Sequence, residues 1–298
     1  MNLKRRLMMT SVVITLMFFA TAGWGAEGQN FVQQIGGNGT IDWTEGVIQA
    51  TGIGAPPEKF YGKPQAVPMA LRAAQLDAYR RLLEVTKGVR VDSQTVVDDY
   101  AIKSDIISSQ VDGMVKGAQT VKKEYLSDGS VEVTLQMNLH GGFAQLMLPS
   151  EIQQVEKIRS VPEIDLMADP RQTTMGTGDN ASSGGNLYTG LIIDARGLNA
   201  RPAMSPKIVN ETGKEVYGSA YVSREFAVQQ GMSGYARDLT SAQQNPRVAN
   251  NPLIVKGLRT QGPGKSDIVI SNADAAKILS SSENLSFLQK CRVMIVLD

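Results

Sequence analysis

The longest amphipathic pattern in the chain lies between residues 69 and 85 and predicts a helix. Pro68 suits the first turn of such a helix, and Gly88 suits its end. The apolar face repeats at intervals of three and four positions: Leu71, Ala74, Ala78, Leu82 and Val85. Because alanine side chains are short, we expect the helix from Met69 to Val85 to lie close to a sheet.

A β-hairpin is predicted after this helix. Residues 131–137 alternate between apolar and polar types, and they follow the dipeptide Asp128-Gly129, which is typical of hairpin turns. Residues 118–125 supply the other strand of the hairpin. A shorter helix is expected at 105–115, between the long helix and this hairpin.

A second hairpin precedes the long helix. Residues 41–43 and 47–51 flank a short turn that contains Gly46, and both runs favour strands. The order β-β-α-α-β-β then indicates an α+β domain, with helices on one face of an antiparallel sheet.

The second half of the chain predicts a mixed α/β arrangement with one small sheet. Its last apolar run, residues 292–297, is typical of a strand buried on both faces. Ser271 can cap a helix that begins near Ala273. The other expected strands are 191–194, 206–209, 215–217, 253–256 and 267–270.

The segment between the halves lacks any apolar period and is rich in Gly, Ser, Thr and Asn, which favours a flexible linker. A short connecting helix at 151–159 is expected just before it. We therefore predict fold class α+β with four segments: a signal peptide (1–26), an α+β domain (27–160), a linker (161–187) and a mixed α/β domain (188–298).

The leader has the pattern of a secretory signal peptide. Basic residues at positions 4–6 precede an apolar run at 7–20, and small residues follow. The apolar run of about 14 residues is shorter than the ~20 that a membrane-spanning helix needs. We expect cleavage between Ala22 and Glu27 and a periplasmic or secreted chain. An uncleaved N-terminal anchor is the alternative.

The chain contains few of the side chains that commonly carry out catalysis or bind metal ions. The 298 residues include one His, His140, and one Cys, Cys291. An internal disulfide is impossible, and so is a metal site that needs two His or two Cys. We therefore expect that the protein is not an enzyme, that it has no cofactor, and that it has no catalytic or metal-binding residues. His140 is expected to be exposed or half-buried. Cys291 is expected to be buried, and a reactive or intermolecular thiol is the alternative.

The net charge of +1 conceals a difference between the halves. Residues 27–187 carry 14 Lys and Arg against 20 Asp and Glu, whereas residues 188–298 carry 13 against 9. No basic cluster of the kind that nucleic-acid modules carry lies outside the leader, so no nucleic-acid partner is expected. One interpretation of this difference is electrostatic attraction between the halves or between copies of the chain. The alternative is that both halves have ordinary solvated surfaces.

Two pairs of charged residues are candidate sites. Asp194 and Arg196 follow an apolar strand, where ligands of α/β proteins often bind; a charge pair that caps the strand is the alternative. Asp98 and Asp99 could form a cation or paired-carboxylate site. No calcium-loop spacing surrounds them, which favours a solvated loop or a helix start.

The first domain resembles two related bacterial families. Its Ala-rich helix ends at Gly88-Val89, the step Lys116-Gly117-Ala118 follows, and an Asp-Gly hairpin closes the pattern. Over about residues 47–140 the chain resembles small outer-membrane lipoproteins of the Lpp-twenty type and the N-terminal domain of flagellar assembly protein T. The resemblance implies a non-enzymatic module of the envelope or an appendage. No lipobox Cys stands at the end of the leader, so no lipid anchor is implied.

These observations favour an exported, non-enzymatic structural or assembly protein. Its expected partners are other envelope or appendage proteins, and self-association stays open. The alternative is a binding module for cell-wall glycan or a small ligand at the strand ends near Asp194. A hydrolase that uses only the carboxylates of Asp98, Asp99 and Asp194 is the third hypothesis.

Overall fold

A computed structural model describes residues 30–37, 39–152, 188–280 and 282–298, leaving out the side chains of residues 282 and 283. The predicted signal peptide and linker lie outside these residues, as does nearly all of the connecting helix predicted at 151–159. Within them, the fold is α+β, as the sequence predicts.

The first half is built on a five-stranded antiparallel sheet. Its strand order is β1-β2-β3-β5-β4, so β1 and β4 are the edges. The strands are β1 (Val32–Ile35), β2 (Gly39–Asp42), β3 (Val47–Gly54), β4 (Gln119–Tyr125) and β5 (Val131–Asn138). Four helices accompany them: α1 (Ala66–Lys87), α2 (Val97–Lys103), α3 (Asp105–Lys116) and α4 (Gly142–Met147).

Helix α1 lies on β3 and β5 at backbone-contact distance. Its buried face repeats every four residues at Ala70, Ala74 and Ala78. A Cβ atom on Gly52 of β3 would stand 2.1 Å from the backbone nitrogen of Ala78, and one on Gly54 would stand 2.3 Å from the carbonyl oxygen of Ala70. Glycine in the strand and alanine in the helix are therefore what allow the two elements to meet.

The predicted order β-β-α-α-β-β omits three elements of this half. Strand β1 begins it, α2 stands between the two predicted helices, and α4 follows β5. Helices α2 and α4 span seven and six residues, too few for a helical repeat to show. In β1, two consecutive glutamines interrupt the period-two alternation that marks a half-buried strand.

The second half contains two four-stranded sheets, so the prediction of one small sheet is wrong. The first sheet is wholly parallel in the order β10-β6-β13-β9, and the second is mixed in the order β11-β12-β7-β8. The strands are β6 (Gly190–Asp194), β7 (Ile208–Asn210), β8 (Glu215–Tyr217), β9 (Gly234–Ala236), β10 (Pro252–Lys256), β11 (Arg259–Gln261), β12 (Asp267–Ile270) and β13 (Val293–Val296). The helices are α5 (Arg224–Gln230), α6 (Leu239–Gln244), α7 (Asn272–Leu279) and α8 (Ser282–Gln289).

The central strands of the parallel sheet are buried on both faces. Ile192 and Met294 face a small cluster that includes Ala242 of α6, whereas Ile193 and Ile295 face the main core. The uninterrupted apolar run predicted as a buried strand is confirmed as β13. The Ser271 cap is also confirmed, since its hydroxyl accepts a hydrogen bond from the amide of Asp274 at 3.0 Å.

We expect Gly52→Ala to lower the free energy of unfolding by about 1–3 kcal/mol or more, because its methyl group would overlap the backbone of α1. Urea unfolding followed by circular dichroism measures this. The matched control is Gly113→Ala in α3, where no atom outside the adjoining helix backbone lies within 4 Å of the added carbon. That variant should be stabilised by roughly 0.5–1 kcal/mol. Equal stability of the Gly52 variant and the wild type would contradict the proposed close contact.

Candidate functional site

The predicted ligand pair lies at the carboxyl end of β6, and its two members bind each other. The guanidinium of Arg196 donates from Nε and Nη2 to the two carboxylate oxygens of Asp194, each at 2.8 Å. These hydrogen bonds lower the pKa of Asp194 below its ordinary value. The geometry is that of a charge pair that caps a strand, and a ligand role for these two residues stays a prediction.

Two further carboxylates at this edge of the parallel sheet also hold local structure. Asp298 accepts hydrogen bonds from the amide of Gly197 at 2.8 and 2.9 Å. Asp238 caps α6 by accepting from the amide and the hydroxyl of Ser241, which lowers its pKa. The strand ends therefore offer carboxylates that are already bound to turns and a helix start.

Asp98 and Asp99 begin helix α2, which agrees with the interpretation as a helix start. The carboxylate of Asp99 accepts from the amide of Val96 at 2.8 Å. Asp98 forms an ion pair with Lys87 of α1 at 3.6 Å. The two carboxylates thus serve different partners.

The two halves of the chain are joined by backbone hydrogen bonds. The amides of Met204 and Ser205 donate to the carbonyls of Arg90 and Val91 at 3.0 and 2.7 Å. At another point of the junction, the hydroxyl of Ser93 donates to Asp267 at 2.7 Å. Burial raises the pKa of this carboxyl group. Both halves contribute to one continuous apolar core.

Tyr235 of β9 is the central side chain of this junction. Its ring contacts Trp43 edge-on at 5.7 Å and Phe31 at 6.4 Å between centroids. Its hydroxyl donates to the carbonyl of Ala203 at 2.7 Å and accepts from the amide of the same residue at 2.9 Å. The hydroxyl of Thr44 donates to the carbonyl of Tyr235 at 2.9 Å. One side chain therefore ties the first sheet to the second half.

The single histidine also lies in the junction. The imidazole of His140 stands between Gly46 and Gly231, so close that a Cβ atom on either would lie within 2.0 or 3.0 Å of the ring. Beside it is a cavity of about 20 Å³, lined also by Ser233, which is too small for an organic substrate. Burial lowers the pKa of His140, and the charge of Arg247 lowers it further.

Arg247 is a partly buried cation that no sequence pattern singled out. Its guanidinium donates to the carbonyls of Cys291 at 2.9 Å and Gly231 at 3.2 Å, and to that of Gln230. Burial lowers its pKa. Since backbone carbonyls from two segments surround the guanidinium, it fastens the end of α5 to the turn before β13.

Cys291 is buried, as the sequence predicts. Burial raises the pKa of its thiol to about 11, so the reactive thiolate is scarce at neutral pH. Tyr217 lies against it with its hydroxyl donating to the carbonyl of Met232. The thiol is part of the core of the second half.

The edge strand β4 is the most accessible element of the first half. All seven of its residues are exposed, and it is paired on one side only, with β5. Val121 and Tyr125 are 48% and 61% exposed. A register shift between Thr120 and Lys122 interrupts the edge, and Lys122 forms an ion pair with Glu124 at 2.8 Å. Irregularity and lysines of this kind limit unspecific strand pairing.

Across the described parts of the chain, no three His, Cys, Asp or Glu side chains gather as a metal site would require. No helix there is long and apolar enough to cross a membrane.

Tyr235→Phe should lower the free energy of unfolding by about 1–3 kcal/mol, because the buried amide and carbonyl of Ala203 would lose their partner. Tyr125→Phe, which changes an exposed tyrosine in the same way, should leave stability within about 0.5 kcal/mol of the wild type. Chemical denaturation of both variants measures the difference. Similar effects of the two substitutions would be inconsistent with a central role for Tyr235.

We expect the free energy of unfolding to fall as the pH is lowered from 7.5 to 5.5. The pKa of His140 in the folded protein lies below its ordinary value of 6.5, so the unfolded chain takes up the proton first. The stabilisation is complete above pH 6.5 and is lost as the pH falls towards the folded pKa. His140→Gln should remove most of this slope, which urea unfolding at several pH values measures. An unchanged slope would exclude His140 as its origin.

Comparison with known proteins bears on the second half. A family model described as Treponema pallidum Tp0624, second domain, matches residues 190–298, so this stretch is similar to that domain. The match begins at the first residue of β6 and includes both sheets of the second half. No curated protein matches the chain.

Proposed function

We propose that the chain is an exported structural or assembly protein of the bacterial envelope that acts through protein–protein contacts. The observation that carries the proposal is the exposed edge strand β4. Its backbone is paired on one side only, and apolar side chains stand exposed along it and just beyond it, at Val121, Tyr125 and Leu126. Beyond the register shift, residues 122–125 pair regularly with β5, and this stretch of the edge can accept a strand from a specific partner through backbone hydrogen bonds.

The use of polar side chains for connections within the protein supports this proposal. The Tyr235 contacts and the Arg247 hydrogen bonds use polar groups for internal connections. The carboxylates at the strand ends are likewise bound within the protein. The polar groups that the sequence singled out as candidate chemistry thus hold turns, caps and the junction, which fits a binding role better than a catalytic one.

Export is the second part of the proposal. It rests on the basic, apolar and small-residue pattern of residues 1–26. The resemblance of residues 47–140 to envelope and flagellar modules points to the same compartment. In the oxidising periplasm, a single buried thiol adds no disulfide chemistry.

Site-specific photo-crosslinking in living cells tests the proposal. A photoreactive amino acid at position 123 in β4 should give a discrete adduct with another envelope protein in the periplasmic fraction. The matched control is the same amino acid at position 243, on the exposed surface of α6. Adducts at both positions would indicate unspecific contact. Their absence at position 123, or retention of the chain in the cytoplasm, would overturn the proposal.

A further inference from the structure

The outer face of the first sheet, opposite α1, carries a continuous row of uncharged polar side chains. The strand registers pair Gln34 with Thr40, Thr40 with Gln49, and Gln49 with Gln136; Gln136 in turn pairs with Gln119. One amide or hydroxyl side chain from each of the five strands therefore lies in one line across the sheet, at a spacing of about 4.8 Å.

A second, shorter row of polar side chains lies beside the first, further along strands β3 and β5. Thr51 pairs with Thr134, and their hydroxyls are hydrogen-bonded at 2.8 Å. In the first row, the amide of Gln49 donates to the side-chain oxygen of Gln136 at 2.7 Å. These bonds fix side-chain orientation and leave further donors and acceptors on each group, since an amide has two N–H bonds and a hydroxyl has two lone pairs.

Part of both rows lines an open groove of about 610 Å³. The polar side chains that line it are Gln34, Thr40, Gln49, Thr51 and Thr134, and the apolar side chains of Ile53 and Val121 lie among them. This volume lies within the range typical of ligand sites. Lys122 and Glu132 stand towards one end of the groove, where their charges offset each other. The part of the groove floor that is formed by Gln34, Thr40 and Gln49 is uncharged.

The chemistry of this floor selects one class of ligand. Strands β2, β3 and β5 are paired on both sides, so their backbone cannot accept an added peptide strand on this face. The groove has no net positive charge, because Lys122 is offset by Glu132, and this disfavours the phosphates of a nucleic acid. Amide and hydroxyl side chains, each able to donate and accept hydrogen bonds, suit a ligand that presents a series of hydroxyl groups.

We infer that this groove binds a neutral glycan chain lying across the strands. Gln34, Thr40, Gln49 and Thr51, which line the groove, would hydrogen-bond the hydroxyl and amide groups of successive sugar units. This surface is separate from the strand ends near Asp194, and the inference does not rest on the β4 edge, so either proposal can fail without the other.

Isothermal titration of the purified mature chain tests the inference, with the β-1,4-linked hexamer of N-acetylglucosamine and with maltohexaose as neutral glycan probes. The wild type is expected to bind at least one of them. A Gln34→Ala/Gln49→Ala double variant should bind that probe at least about tenfold more weakly, because two hydrogen-bonding side chains that line the groove are lost.

Controls separate recognition from folding. Gln243→Ala removes an exposed glutamine of α6 and should bind like the wild type. Thr134→Lys, which brings a charge onto the floor, provides a second variant and should also weaken binding. The thermal midpoint of each variant verifies that it is folded. Failure of the wild type to bind either probe at millimolar concentration, or undiminished binding by both groove variants, would overturn the inference.

Discussion

The contact between helix α1 and strand β3 determines which surfaces of the first half are accessible. Because Gly52 and Gly54 allow the alanine face of α1 to reach the strand backbone, the helix is centred over β3 and β5. One face of the sheet is thereby committed to the core. The opposite face stays in solvent with its glutamines and threonines, and β4 extends beyond the region that α1 covers. Both proposed binding surfaces follow from this geometry.

The second constraint is the junction between the halves. Tyr235 reaches across to Phe31 and Trp43, and the imidazole of His140 stands between one glycine from each half. These contacts combine aromatic packing with hydrogen bonds that satisfy buried polar groups, so their loss would leave unpaired groups in the core. A partner bound at β4 or a glycan bound on the sheet face would therefore be connected to the second half through these contacts.

The elements with a strong local pattern were predictable from the sequence. The apolar face of α1, the Asp-Gly hairpin and the buried β13 each depend on neighbouring residues, and each lies where the pattern indicates. Strand pairing was not predictable. The row from Gln34 to Gln119 depends on four registers that no single strand encodes. The two sheets of the second half escaped prediction for the same reason, since short apolar strands do not reveal their partners. Arg247 gave no local signal either, because the carbonyls that bind it come from distant segments.

The burial of Cys291 has a consequence for a chain with an odd number of cysteines. A lone accessible thiol would join two copies of the chain through a disulfide wherever the surroundings are oxidising. Here the sulfur atom is enclosed by the core and its proton is firmly held, so covalent pairing requires the end of the second half to open first. Cys291 of the folded chain can therefore stay a free thiol without a reducing system. A disulfide-linked dimer would form only from chains that had first unfolded at this end.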